Sequence, residues 1–194
     1  SKYSQPTDLG MLKVTLSGYR ATWHPTEQAP EDSVGTAACA DVFCSLDPSA
    51  FGKTVRWIGT AQLDAEHWKA SAYAQYYDWH MLSDPTYDFQ INQFDRRWTV
   101  GGRYENRLLR GEKFELTLGG EARYDDIARV GLDHTSAGTF VENVSNNSVR
   151  EGSLSAYAEA TWHPTTELRV LAGLRADAYD FHAGRNAGAG VDTA

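Results

Sequence analysis

From Arg56 to Phe181 one rhythm repeats: about a dozen residues alternate apolar and polar, a short turn follows, then another such stretch and a long polar connection. Alternation over ~10 residues gives a strand one lipid-compatible and one water-compatible face, the signature of a transmembrane β-sheet wall. The segment 114–125 carries it most cleanly. Phe114, Leu116, Leu118, Gly120, Ala122 and Tyr124 fall on one face; Glu115, Thr117, Gly119, Glu121, Arg123 and Asp125 fall on the other. Soluble sandwiches rarely sustain such a split for so long.

Similar alternation predicts strands over 11–23, 54–63, 68–79, 98–105, 154–163 and 168–177, about seven in all. In the first, Leu12, Val14 and Leu16 share one phase while Tyr19, Ala21 and Trp23 take the other, which predicts a bulge at Gly18. Segments 24–53, 81–96, 127–150 and beyond 182 show no period and read as long loops, against short turns near 65, 110 and 165. In outer-membrane barrels short turns face the periplasm and long loops the exterior. Trp23, Trp57, Trp68, Trp98, Tyr104, Tyr124 and Trp162 lie near strand ends, where their rings suit the headgroup level. The hexapeptide Ala-Thr-Trp-His-Pro-Thr occurs at 21–26 and again at 160–165, at opposite ends of the wall. An odd number of strands cannot close such a barrel, so the sheet needs partner strands.

Composition narrows function by exclusion. The net charge is −8, and Lys and Arg are scattered instead of clustered, which argues against nucleic acid. No apolar run reaches the ~18 residues of a membrane helix. The six histidines, His24, His67, His80, His134, His163 and His182, have no metal-ligand spacing. Nucleophile-elbow, phosphate-loop and dinucleotide motifs are missing, so no cofactor is expected. Cys39 and Cys44 lie five positions apart in a loop-like stretch. One local disulfide in an oxidising compartment is the simplest arrangement, with two free thiols the alternative.

Three segments resemble the barrel of TonB-dependent outer-membrane receptors. Leu154 to Asp177, with its Gly-Leu-Arg-Ala-Asp ending, is similar to that family's strand, turn, strand unit. Asp88 to Arg97, followed by the Gly101-Gly102 strand, resembles the loop and descending strand of one subgroup, and Ala70 to Tyr77 its preceding ascending strand. The resemblance implies an all-β, antiparallel up-and-down transmembrane β-barrel, here a partial one spanning 1–194, in the outer membrane of a Gram-negative bacterium. It also implies energised uptake of a siderophore, corrinoid or oligosaccharide-like ligand, with no catalysis. Partners would be the lipid bilayer, the remaining strands, a plug domain and, through a region N-terminal to it, the TonB complex. No plug, TonB-contacting segment or aromatic-ended final strand is recognisable, so the chain is expected to be an internal piece of a longer receptor.

In such a barrel Arg56, Arg103, Glu121, Arg123, Glu159, Arg175 and Asp177 would face the lumen, either as plug and ligand contacts or as an ordinary water-facing, salt-bridged wall. Tyr87, Phe89, Phe94 and Phe140 are loop aromatics able to touch a ligand. Two rivals stand beside this expectation. A small outer-membrane barrel enzyme would draw on Asp125, Asp126 and His134. A lipocalin-like soluble barrel would turn its apolar rows inward.

Overall fold

The structure, a computed structural model, describes residues 1–186. Eight antiparallel strands follow one another in space as in sequence: β1 (Lys2–Thr7), β2 (Gly10–Trp23), β3 (Phe51–Asp64), β4 (Trp68–Ser83), β5 (Gln90–Arg110), β6 (Phe114–Ser136), β7 (Thr139–Trp162) and β8 (Val170–Arg185). This is an up-and-down sheet, open between β1 and β8 among the described residues. No helix among them is long and apolar enough to cross a membrane.

Cross-strand register explains why the alternation matters. Leu12, Leu63, Ala70, Tyr104, Gly120, Ala156 and Ala176 pair in succession from β2 to β8, so one apolar row runs across seven strands. One register over lies Lys13, Gln62, Ser71, Arg103, Glu121, Ser155 and Asp177, an almost wholly polar row on the opposite face. The wall itself buries little. Leu154 is 65% exposed and Leu174 82%, whereas the buried apolar residues Leu82, Phe94, Ile127, Ala50 and Cys39 gather toward the long-loop end. An uncovered apolar face this broad calls for lipid as its solvent.

Both edges of the apolar band drift as the sheet is crossed. Its first outward charge is Lys53 on β3 and Asp180 on β8, six register positions apart; its opposite limit moves as far, from Leu12 on β2 to Trp162 on β7. Six positions are roughly 20 Å along the strand and five strand spacings roughly 24 Å across it, so a level band requires strands tilted by about 40°. At that tilt Phe114 to Tyr124 on β6 rises about 26 Å, close to the ~25 Å height of an outer-membrane apolar band.

Five expectations change. Lys2–Thr7 adds an eighth strand that its Ser, Gln and Pro concealed, paired with β2 from Lys2↔Thr15 to Thr7↔Gly10. No bulge forms at Gly18: β2 and β3 keep one register throughout, and the missing Cβ makes room for the Trp57 ring, which would lie 2.2 Å from it. Trp23 accordingly sits on the polar face, over Gly52, and does not join the outward aromatics. Segments 81–96 and 127–150 are mostly strand, with connections of only 84–89 and Ala137-Gly138. Ala137 (φ 48°) and Gly138 (φ 77°) form a two-residue hairpin turn with both central residues left-handed. The last strand runs to Arg185 instead of ending near Asp177, and the Gly/Ala-rich tail beyond 186 lies outside the described residues.

Candidate functional site

The wall's alternation brings the polar side chains together. Arg56, Arg103, Glu121, Arg123, Glu159, Arg175 and Asp177 all stand on the polar face. Arg103 meets Glu105 at 3.1 Å and Glu121 at 3.6 Å, and Arg175 meets Glu121 at 2.8 Å and Asp177 at 2.9 Å. Charges of alternating sign therefore chain across β5, β6 and β8. Arg103 also donates to the Tyr157 hydroxyl at 2.9 Å and lies 5.1 Å from that ring's centroid. Tyr157 is held flat over Gly119, where a Cβ would fall 2.1 Å from the ring, and Tyr73 covers Gly101 in the same manner.

Beside this chain Arg123 pairs with Asp125 at 2.6 Å, and Thr99 donates to the same carboxylate at 2.7 Å. Asp125 is 2% exposed. Arg56 instead donates to the Gln75 side-chain oxygen at 2.8 Å, while Glu159 borders a shallow hollow with Arg103 and Arg175. A larger hollow of about 490 Å³ opens on this face between Tyr73, Arg103, Arg123, Arg175, Tyr179 and Phe181. Arg103 and Arg175 keep about half their surface in solvent, so each contact is a hydrated pair of small individual strength. The arrangement suits a wetted wall.

A second recess, of about 650 Å³, lies where three connections of the long-loop end meet. Asp47 and Ser49 come from the 24–50 connection, Asp84, Tyr87, Asp88 and Phe89 from the β4–β5 connection, and His134 to Ala137 from the β6–β7 tip. Gln90 ties the three: it donates to Asp47 at 2.5 Å and Ser49 at 2.7 Å and accepts from the Gly138 backbone at 2.8 Å. Tyr87 has a left-handed backbone (φ 61°), which turns its side chain into the cluster. Phe89 and His134 lie ring to ring at 4.6 Å.

Charge in the recess is one-sided. Burial pushes the Asp84 carboxyl above its ordinary value, and neighbouring Asp47 adds to the rise. For Asp47 burial acts upward too, but hydrogen bonds from Ser49 and Gln90 outweigh it and leave the carboxyl below its ordinary value. Three acids and several ring faces thus line the cavity, and neither Lys nor Arg does.

Of the four aromatics singled out from sequence, the structure places Tyr87 and Phe89 in the recess. Phe94 lies in strand β5, not in a loop, 4% exposed beneath the Arg129 guanidinium at 4.5 Å. Phe140 stands on β7 outside the lining. Asp125 and Asp126 are consecutive strand residues on opposite faces, and His134 is roughly 25 Å further along β6, so this trio is not assembled. The Asp47, Gln90 and Glu105 contacts were missed because nothing local marks them; each depends on a partner strand or loop.

Cys39 and Cys44 are bonded to each other, with Cα atoms 5.2 Å apart, inside the 24–50 connection. No group of three acidic, His or Cys side chains able to hold a metal occurs among the described residues. A family model described as TonB dependent receptor-like, beta-barrel, matches residues 9–194. No curated protein matches the chain.

Proposed function

Because this chain belongs to the TonB-dependent receptor-like β-barrel family, we propose that it forms part of the wall and loop crown of an outer-membrane receptor importing a siderophore, corrinoid or oligosaccharide-like ligand. The observation that carries this is the pairing of an uncovered apolar face with an ion-paired polar face over the whole sheet. The apolar face meets lipid. The polar face, with Arg56, Arg103, Glu121, Arg123, Glu159, Arg175 and Asp177, meets the water-filled lumen and a plug domain. Further strands pair with β1 and β8, since a bare sheet edge in lipid would leave several kcal/mol uncompensated per backbone group. The recess around Tyr87 and Phe89 is the first contact for the ligand, and the Cys39–Cys44 bond keeps its flanking loop compact. Energy for uptake reaches the barrel from the TonB complex through the plug.

The test is uptake in the parent bacterium with and without this gene, under limitation for iron, corrinoid or complex glycan in turn. One of the three uptakes should fall to background on deletion, and should fall equally when the inner-membrane proton gradient is dissipated. Unchanged uptake of all three would overturn the proposal.

A further inference from the structure

At the long-loop recess three side-chain oxygens are sealed from water and have no hydrogen-bond partner: Glu27 Oε1, Asp84 Oδ1 and the Tyr87 hydroxyl. Asp84 and Tyr87 line the cavity, and Glu27, from the 24–50 connection, lies near enough for its charge to act on both. Buried polar atoms are nearly always hydrogen-bonded. Three acceptors gathered at one place call for a donor that the chain's own loops do not supply.

The imbalance has a sign. Asp47, Asp84 and Asp88 face the cavity, Glu27 stands beside them, and no Lys or Arg joins the lining. Burial raises the Asp84 carboxyl and the Tyr87 phenol above their ordinary values, and Asp47 and Glu27 push each further. Like charges in a partly desolvated hollow repel, and a cation among them removes that cost.

The rest of the lining decides which cation. Among the described residues no three acidic, His or Cys side chains are arranged to hold a metal ion. Phe89, 47% exposed, offers a ring face, and Ser136 a hydroxyl. A ring face covers the C–H side of a pyranose and attracts an ammonium, while carboxylates accept from ammonium and hydroxyl alike. About 650 Å³ is room for a short oligosaccharide. An anionic chelate meets only repulsion there.

We propose that the recess takes an oligosaccharide bearing free amino groups, one ammonium held among Glu27, Asp84 and Asp88 and one sugar ring resting on Phe89. This rests on the recess being the ligand's first contact in an outer-membrane receptor. The experiment is isothermal titration calorimetry on the full-length receptor, purified from outer membranes in a neutral detergent, in buffer that keeps amines protonated. The probes are tetramers of glucosamine, of N-acetylglucosamine and of galacturonic acid. The glucosamine tetramer should bind about tenfold more tightly than the acetylated one, and the galacturonate tetramer should give no heat. A Glu27→Gln, Asp84→Asn double variant keeps the shapes and removes the repulsion, so it should fold and should bind the first two about equally. Glu66→Gln, at the short β3–β4 turn, should leave the preference intact.

No binding by any tetramer, equal binding of all three, or a preference that survives in the double variant would overturn the site. Calcium carried through dialysis by the unaltered receptor and lost from the double variant would assign the oxygens to a metal and overturn the amine. A heat-shifted electrophoretic band confirms that each variant is folded. Gene-dependent uptake of a corrinoid or a ferric chelate by a receptor indifferent to the amine would sink this inference and leave the receptor reading standing. Uptake independent of the gene in every case would sink that reading itself.

Discussion

Gly119 on β6 and Gly59 on β3 stand on opposite faces of one sheet and should answer the same substitution differently. A Cβ at Gly119 falls within 2.1 Å of the Tyr157 ring, whereas at Gly59 the nearest atom is a Leu16 methyl at 3.9 Å. Gly119→Ala should push Tyr157 off Arg103 and lower unfolding stability by about 1–2 kcal/mol, while Gly59→Ala should be close to neutral, as read from urea midpoints in detergent. Asp84 gives a pH test. Its folded carboxyl lies above the ordinary value of 3.8, so ionisation at neutral pH works against the loop cluster. Asp84→Asn should therefore slow hydrogen exchange in the 84–89 connection at pH 7. The advantage should fade as pH falls through the raised value and vanish below 3.8, where the acid is protonated folded or unfolded. The outward alternation of Phe114 to Tyr124 was legible residue by residue, because each side chain needs only its own phase. The Tyr157–Gly119 stack was not, since its members are separated in sequence and meet only through the β6–β7 register.

At the scale of elements, β6 and β7 form the longest hairpin, and its tip is the place where sequence alone misled. Asp133, Asn143, Asn146 and Thr135 are polar on what would otherwise be an apolar phase, so no period of two in hydrophobicity marks residues 127–150. The strand persists there because its polar side chains pair: Asn143 donates to Asp133 at 2.6 Å, and His134 meets Glu142 at 2.9 Å. The turn itself is improvable. Ala137 pays a steric penalty at φ 48° that Asn tolerates better, so Ala137→Asn should stabilise the tip by about 0.5–1 kcal/mol. Slower amide exchange at Ser136 to Phe140, with the wall unchanged, is the expected readout. By contrast the Cys39–Cys44 pairing lay within reach of spacing alone, and iodoacetamide should label neither cysteine until a reductant is added.

For the whole molecule, the two faces predict opposite tolerance to charge. Ala158→Arg places a guanidinium in the middle of the apolar band and should cost about 2–4 kcal/mol, with failed assembly of the heat-shifted form as the visible outcome. Thr117→Arg, in the adjacent register on the polar face, should fold like the unaltered chain. Barrel class could be argued from sequence because strand period is a local property, whereas the lengths of the 81–96 and 127–150 connections could not, since paired strands fill most of both. Strand number escaped it, since the Ser, Gln and Pro of Lys2–Thr7 carry no apolar alternation. The chained pairs Glu105, Arg103, Glu121, Arg175 and Asp177 carry a last consequence. Their signs alternate over a few ångströms, three carboxylates against two guanidiniums, so the surface holds a layer of water yet offers little standing potential to grip a passing solute. Lubrication without adhesion suits a conduit whose cargo must be captured at the mouth and let go along the way.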